Sequence, residues 1–319
     1  MKEHTLKIIY MGTPGFAVEP LKKLIDKGFQ IAAVVTAPDK PAGRGRELKP
    51  SEVKQFALQH SLPILQPEKL KDESFIAELK SYQADLFVVV AFRMLPEVVW
   101  SIPPKGTVNL HASLLPNYRG AAPINHALIN GEKETGITTF LISHEIDTGN
   151  MLLQKKVSIT DNETAGSLHD KLMNEGAELL VETVAKIEKN DITPVPQPDI
   201  EGLKPAPKLF RETCAINWNM PAEEIRNLIR GLSPYPGAWC ELQNGESTMQ
   251  LKIYKANAED CNSGKKPGDI ETDGKNYLKV ICAKGCLNIE EVQAQGKKAM
   301  SVKSFLAGFR INEKLKMIN

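Results

Sequence analysis

The spacing of apolar positions along this chain changes once. Up to about residue 190, short apolar, β-branched runs alternate with amphipathic stretches. The runs Leu6–Met11, Ile31–Thr36, Leu62–Leu65, Leu86–Ala91, Thr107–Leu110 and Ile137–Ile142 predict strands. Between them, Phe16–Lys27 closed by Gly28, Ser51–His60, Asp72–Ser81 and Ala122–Ile129 closed by Asn130-Gly131 carry helical spacing. Strands that are apolar at nearly every position have no solvent face. Alternating with helices, they predict an α/β fold: a doubly wound, mostly parallel sheet covered on both sides. Two strand-like runs in series, Thr138–Ser143 and Met151–Ile159, predict an antiparallel edge, and Ala165–Lys189 a long closing helix.

Residues 190–208 break this alternation with five prolines, which predict a stiff, extended linker. Beyond it Pro221–Leu232 reads as a helix with Pro at its start, and Val302–Phe309 as a last one. Between them lie five short strand patterns: Ala238–Leu242, Met249–Ala256, Asp269–Glu271, Leu278–Cys282 and Leu287–Val292. Asn244-Gly245 and Asp273-Gly274 are hairpin signals among them. Five short strands with such turns predict a small β-barrel of the oligonucleotide-binding type, an OB-like domain.

Composition adds few constraints. The chain has 319 residues, 42% of them hydrophobic and 25% charged, ordinary for two globular domains. No apolar run approaches the roughly 20 residues of a membrane span. The N-terminus runs straight into a short strand that contains Lys7, unlike a secretory leader. Five cysteines, odd in number and without a C-x-x-C pair, predict reduced thiols and no metal site. Net charge is +1, yet residues 206–319 hold 17 Lys and Arg against 13 Asp and Glu, a mild excess that a nucleic-acid partner would suit.

Three segments carry chemistry. Met11-Gly12-Thr13-Pro14-Gly15-Phe16 follows the first strand, where doubly wound sheets bind ligands. It lacks the dinucleotide glycine fingerprint, which disfavours a nicotinamide enzyme. Thr13 is a candidate cap for the next helix. The loop Thr36–Pro50 carries Lys40, Arg44, Arg46 and Lys49 among prolines and glycines. Arginine flanked by glycine can swing into a groove and pair with phosphates or base edges; a merely solvated loop is the plainer alternative.

The third segment is the most informative. Asn109 and His111 alternate at the end of a strand, so both point to one face. The Pro/Gly-containing loop Ser113–Gly120 follows, and Asp147 lies in a turn closed by Gly149. Asn can donate to a developing oxyanion, His can move a proton, and Asp can orient the imidazole and balance its charge. A substrate that brings its own amine needs no Ser or Cys nucleophile, so the set points to direct acyl transfer. A structurally satisfied histidine and a simple Asx turn at Asp147 are the bland alternatives. His144 is a rival base, and His60, His126 and His169 fall on helical faces.

Together these pieces resemble the methionyl-tRNA formyltransferase family over essentially the whole chain. The Asn-x-His pair, Ser-Leu-Leu-Pro-x-Tyr-x-Gly and the later Asp are similar to motifs of folate-dependent formyltransferases at large. The Pro41-Ala42-Gly43-Arg44-Gly45 loop, the second domain and Lys297-Lys298-Ala299-Met300 are similar to the branch that acts on tRNA. The resemblance implies a Rossmann-like formyltransferase domain over 1–189, a Pro-rich linker over 190–208 and an OB-like tRNA-binding domain over 209–319. It implies that a formyl group passes from 10-formyltetrahydrofolate to the α-amine of initiator methionyl-tRNA, for translation initiation. Asn109, His111 and Asp147 would form the catalytic trio, with Ser113, Leu114, Leu115 and Pro116 along the formyl donor. Arg44, Arg46, Lys49 and Lys208 would meet the tRNA, with no metal, in a cytoplasmic monomer. Two functions compete with this one. Formyl transfer to a small amine, such as an amino-sugar nucleotide or glycinamide ribonucleotide, would keep the trio without needing the Arg44 loop. An RNA-binding protein with an idle α/β domain would not need the trio. Two departures stand out: Arg93 where a glycine is common, and Asn217 where an aspartate is common.

Overall fold

The computed structural model describes residues 5–42, 47–261, 264–309 and 315–318. The chain forms two units. One comprises Met1–Gly120, Glu134–Ser158 and His169–Pro205, the other Ala121–Lys133, Ile159–Leu168 and Ala206–Asn319. Arg44 and Arg46 lie outside the described residues.

Strands of the first unit are, in chain order, β1 (Lys7–Gly12), β2 (Gln30–Val35), the short ribbon β3 (Lys40–Ala42) with β4 (Glu47–Lys49), β5 (Ile64–Leu65), β6 (Leu86–Val90), β7 (Thr107–His111), β8 (Glu134–Leu141) and β9 (Met151–Ser158). Seven of them form one sheet in the order β5-β2-β1-β6-β7-β8-β9. The strands from β5 to β7 pair parallel, whereas β8 and β9 are antiparallel, as the two strand patterns in series predict. Ile9, Met11, Phe87 and Val89 pack on one face with Ala33, Val35, Phe75 and Leu79. The alternate residues Ile8, Tyr10, Leu86 and Val88 are fully buried too, which is why these runs show no polar positions.

The helices that follow the strands are α1 (Val18–Asp26), α2 (Glu52–Gln59), α3 (Glu73–Ser81), α4 (Glu97–Trp100), α5 (Pro123–Ile129) and α6 (Ala165–Glu188). Ser51 caps α2 by accepting from Lys54 N at 3.0 Å, and Asp72 caps α3 by accepting from Ser74 N at 3.0 Å. The helix expected from Phe16 differs at its start. It begins as a 3-10 turn, Gly15–Ala17, with extended Pro14 at the cap position and no cap from Thr13. Close approach accounts for this: the Tyr10 hydroxyl donates to Ala17 O at 2.6 Å, and a Cβ at Gly12 would lie 2.6 Å from Ala17 Cβ. The strand expected over Leu62–Leu65 shrinks to two residues. Pro63 has no N–H, although its carbonyl still accepts from Val34 N at 2.8 Å.

In the second unit, β10 (Ala238–Asn244), β11 (Ser247–Glu259), β12 (Ile270–Thr272), β13 (Leu278–Ile281), β14 (Cys286–Ala294) and β16 (Leu315–Ile318) form an antiparallel sheet, with β15 (Met300–Ser301) paired to β14. Its order is β12-β13-β14-β11-β10-β16. The sheet curls until its ends meet, where Met317 N donates to Gly268 O at 2.9 Å and Asp269 bridges Lys316, giving a near-barrel. Inward residues Cys240, Leu242, Leu251, Ile253, Val280 and Leu287 make its core with Ile225 and Ile229 of α7 (Ala222–Leu232) and with Phe305 of α8 (Val302–Ala307). Helix α5 groups with this unit. It meets α7 at Gly231, where a Cβ would sit 2.7 Å from Ile129 Cγ1, and Asn125 Nδ2 donates to Gly231 O at 2.8 Å.

Candidate active site

Strand β7 carries Asn109 and His111 to the carboxyl end of the parallel sheet, where doubly wound folds keep their ligands. Asn109 stands in register between Val89 and Phe140 and is half-buried. Among the described residues its side-chain amide has no hydrogen-bond partner. His111 ends the strand and is buried, with its ring edge-on to Phe140. Its Nε2 lies 2.9 Å from Tyr118 O. A carbonyl can only accept, so Nε2 carries a proton and, in the neutral ring, Nδ1 holds the free lone pair.

Asp147 faces that second nitrogen. Its Oδ2 is 3.7 Å from His111 Nδ1, too far for a hydrogen bond but close for a charge contact. The same oxygen accepts from Gly120 N at 2.9 Å. The carboxylate is thus engaged across the fold rather than folded onto its own turn as a simple Asx turn would be. Asp147 takes a left-handed backbone (φ 56), and Gly149 two residues on has no room for a side chain: a Cβ there would lie 1.7 Å from Leu141 O. The structure therefore brings His111 and Asp147 together, with Asn109 on the same strand end as His111.

Ser113, Leu115 and Pro116 are buried, and Leu114 is half-buried. The Ser113 hydroxyl donates to Asn117 O at 2.7 Å, so it is engaged within its own loop. Sequence reasoning did not find what holds this loop. The buried Thr138 hydroxyl donates to Ser113 O at 2.7 Å and accepts from Leu115 N at 3.2 Å, while Gln154 Nε2 donates to Leu115 O at 3.0 Å. Gly136 leaves space for Leu114, whose Cδ2 would lie 2.3 Å from an added Cβ. The segment is a fixed wall laced to β8 and β9. No local signal marks Thr138 or Gln154, since their partners lie tens of residues away.

The other singled-out residues lie elsewhere. His144 is exposed, with Nε2 3.4 Å from Glu97 Oε1 and its ring against Trp100. His60 packs on Phe56, His169 on Phe16, and His126 lies 3.0 Å from Pro207 O. Arg93 donates to the backbone carbonyls of Pro67 and Glu68. Asn217 accepts from Asn219 N at 3.0 Å, a local turn with no charge role. Lys49 is exposed and pairs in register with Lys40 across the β3–β4 ribbon. In the second unit Lys208 stands 5.8 Å over the ring of Phe210, and Arg211 stands 5.0 Å over Trp239. Among the described residues, no group of three or more His, Cys, Asp or Glu side chains is placed to hold a metal, and no helix is long and apolar enough to cross a membrane.

The formyl transferase family matches residues 6–184, and the formyl transferase C-terminal domain matches residues 208–310. The methionyl-tRNA formyltransferase of Bacteroides fragilis is 51% identical over 321 residues, covering 99% of this chain and 99% of that protein. That of Flavobacterium johnsoniae is 48% identical over 312 residues, covering 98% and 99%. Among solved structures, the N-formyltransferase of Helicobacter canadensis in complex with folinic acid and dTDP-3-aminofucose matches with a TM-score of 0.66 at 21% identity, covering 91% of this chain and 100% of that one, a likeness of fold. With both domains matched in order and half of all positions identical from end to end, the chain belongs to the methionyl-tRNA formyltransferase family.

Proposed function

We propose that this chain moves the formyl group of 10-formyltetrahydrofolate onto the α-amine of methionine esterified to initiator tRNA. The observation that carries the chemistry is the His111–Asp147 pair beside the amide of Asn109, which has no hydrogen-bond partner among the described residues. The substrate amine attacks the formyl carbon, a C–N bond forms, and negative charge collects on the formyl oxygen. Asn109 donates a hydrogen bond to that oxygen. Because Nε2 of His111 is tied to Tyr118 O, Nδ1 is the atom that takes the proton shed by the attacking amine. Asp147 balances the imidazolium so formed. The proton then passes to the folate nitrogen as its bond to carbon breaks, which releases tetrahydrofolate. Ser113–Pro116 serve as a shaped wall for the formyl donor, with Ser113 contributing no hydroxyl.

Substrate choice falls to parts away from the trio. Arg44, Arg46 and Lys49 are assigned to the acceptor end of the tRNA, and Lys208 to its phosphates. The β3–β4 ribbon supports this, because Lys40 and Lys49 share one register position. Like charges opposed across a ribbon disfavour the isolated fold and suit a polyanion. The family matches over 6–184 and 208–310 support a catalytic domain over 1–189, a linker over 190–208 and a tRNA-binding domain over 209–319. A tRNA substrate and a folate donor support action in the cytoplasm, and the proposed enzyme acts as a monomer. A formyl-transfer assay offering initiator Met-tRNA, elongator Met-tRNA and small amines side by side tests the proposal. Transfer to initiator Met-tRNA first supports it; faster transfer to an amino-sugar nucleotide or glycinamide ribonucleotide contradicts it.

A further inference from the structure

Gln197 lies in the proline-rich stretch after α6, fifty residues beyond the turn that carries Asp147. Its amide is saturated. Arg119 donates to Oε1 from Nε at 3.1 Å and from Nη2 at 2.6 Å. A guanidinium only donates, so the oxygen must face Arg119 and the NH2 group must point away from it. That group has two hydrogens, and the amide nitrogen sits 2.7 Å from Asp147 O and 2.9 Å from Gly149 O. The carbonyls on both sides of Thr148 are thereby drawn to one nitrogen.

These bonds close a ring. Arg119 precedes Gly120, whose N–H donates to Asp147 Oδ2 at 2.9 Å; Asp147 O accepts from Gln197; and Gln197 Oε1 accepts from Arg119. The turn needs such a tie, because Asp147 holds a left-handed backbone that is strained for a non-glycine residue. We propose that Gln197 is a positioning residue for Asp147, with Arg119 fixing the orientation of its amide; this rests on the reading of Asp147 as catalytic. Without the two donated hydrogen bonds the turn relaxes and the carboxylate leaves its place beside His111 Nδ1.

Gln197→Glu separates this from a merely structural role. The carboxylate keeps the Arg119 partner, and so the fold, but cannot donate to Asp147 O or Gly149 O. Steady-state kinetics with 10-formyltetrahydrofolate and initiator Met-tRNA are measured for the parent, Gln197→Glu, Gln197→Ala and Asp147→Asn, with amide exchange followed at Gly120. The expected result is that kcat falls about 10- to 100-fold in both Gln197 variants with each KM within about twofold, as loss of placement without loss of binding requires. Exchange at Gly120 is expected to quicken in both. Parental kcat in Gln197→Glu beside a loss in Asp147→Asn overturns the positioning role alone. Parental kcat in Asp147→Asn overturns the catalytic reading and the positioning role with it.

Discussion

Tyr118 O holds His111 through Nε2 at 2.9 Å, so the loop that follows β7 returns to fix the ring of the residue that ends it. The consequence is chemical. With Nε2 committed as a donor to a backbone carbonyl, the neutral ring offers a base only at Nδ1, on the side of Asp147. In the proposed reaction the oxyanion donor then comes from elsewhere, and the Asn109 amide on the same strand, without a hydrogen-bond partner among the described residues, is the group that fits.

Thr138 is the hub of the wall proposed for the formyl donor. Thr138→Val removes a buried hydroxyl and leaves Ser113 O and Leu115 N without that partner. The expected cost is about 1–3 kcal/mol of stability, read by urea unfolding. KM for the formyl donor should rise more than KM for tRNA. Unchanged stability would mean that the loop finds other partners.

Gly149→Ala tests the turn. The new Cβ would overlap Leu141 O, a backbone atom that cannot swing aside. Overpacking of this kind costs typically 1–3 kcal/mol, and the displaced turn should take Asp147 with it. A lower melting temperature together with reduced kcat is the expected outcome.

Part of this site is legible in sequence and part is not, for physical reasons. The runs Ile8–Met11 and Leu86–Val90 are apolar at every position because both sheet faces are covered, so strand pattern and parallel topology follow from local composition. The spacing of Asn109 and His111 is likewise local. The bonds that set the angle of each side chain are not. Asp147 to Gly120 spans 27 residues, Thr138 to Ser113 spans 25, and Gln197 to Asp147 spans 50. Nor does any helical pattern reveal that α5 packs against α7, an approach close enough that a Cβ at Gly231 would meet Ile129.

The thiols of the second unit give a pH dependence. Burial pushes the Cys282 thiol up to about 12, and it moves Cys240 in the same direction. As pH rises, the unfolded thiols lose their protons first, near 8.5. The stabilisation is therefore complete below about 8.5 and drains away between there and about 12, at up to about 1.4 kcal/mol per pH unit for each thiol. Urea unfolding at pH 8, 9 and 10 should show the decline, and Cys282→Ala should flatten it. A slope unchanged by that substitution would contradict the assignment.

Lys49 sits opposite Lys40 on the ribbon assigned to tRNA. Lys49→Gln should weaken tRNA binding and reduce the slope of log affinity against log salt by about one. The formyl donor should bind as before. An unchanged salt slope would remove Lys49 from the tRNA surface.

In the proposed reaction Asn109 stabilises the oxyanion formed when the methionyl amine attacks the formyl carbon. Single-turnover formyl transfer from 10-formyltetrahydrofolate to initiator Met-tRNA, with parent and Asn109→Ala both saturated in donor and tRNA, tests it most directly. Loss of one such donor should slow transfer by about 10²–10³, with melting temperature and tRNA affinity held. Transfer by Asn109→Ala at close to the parental rate would contradict it.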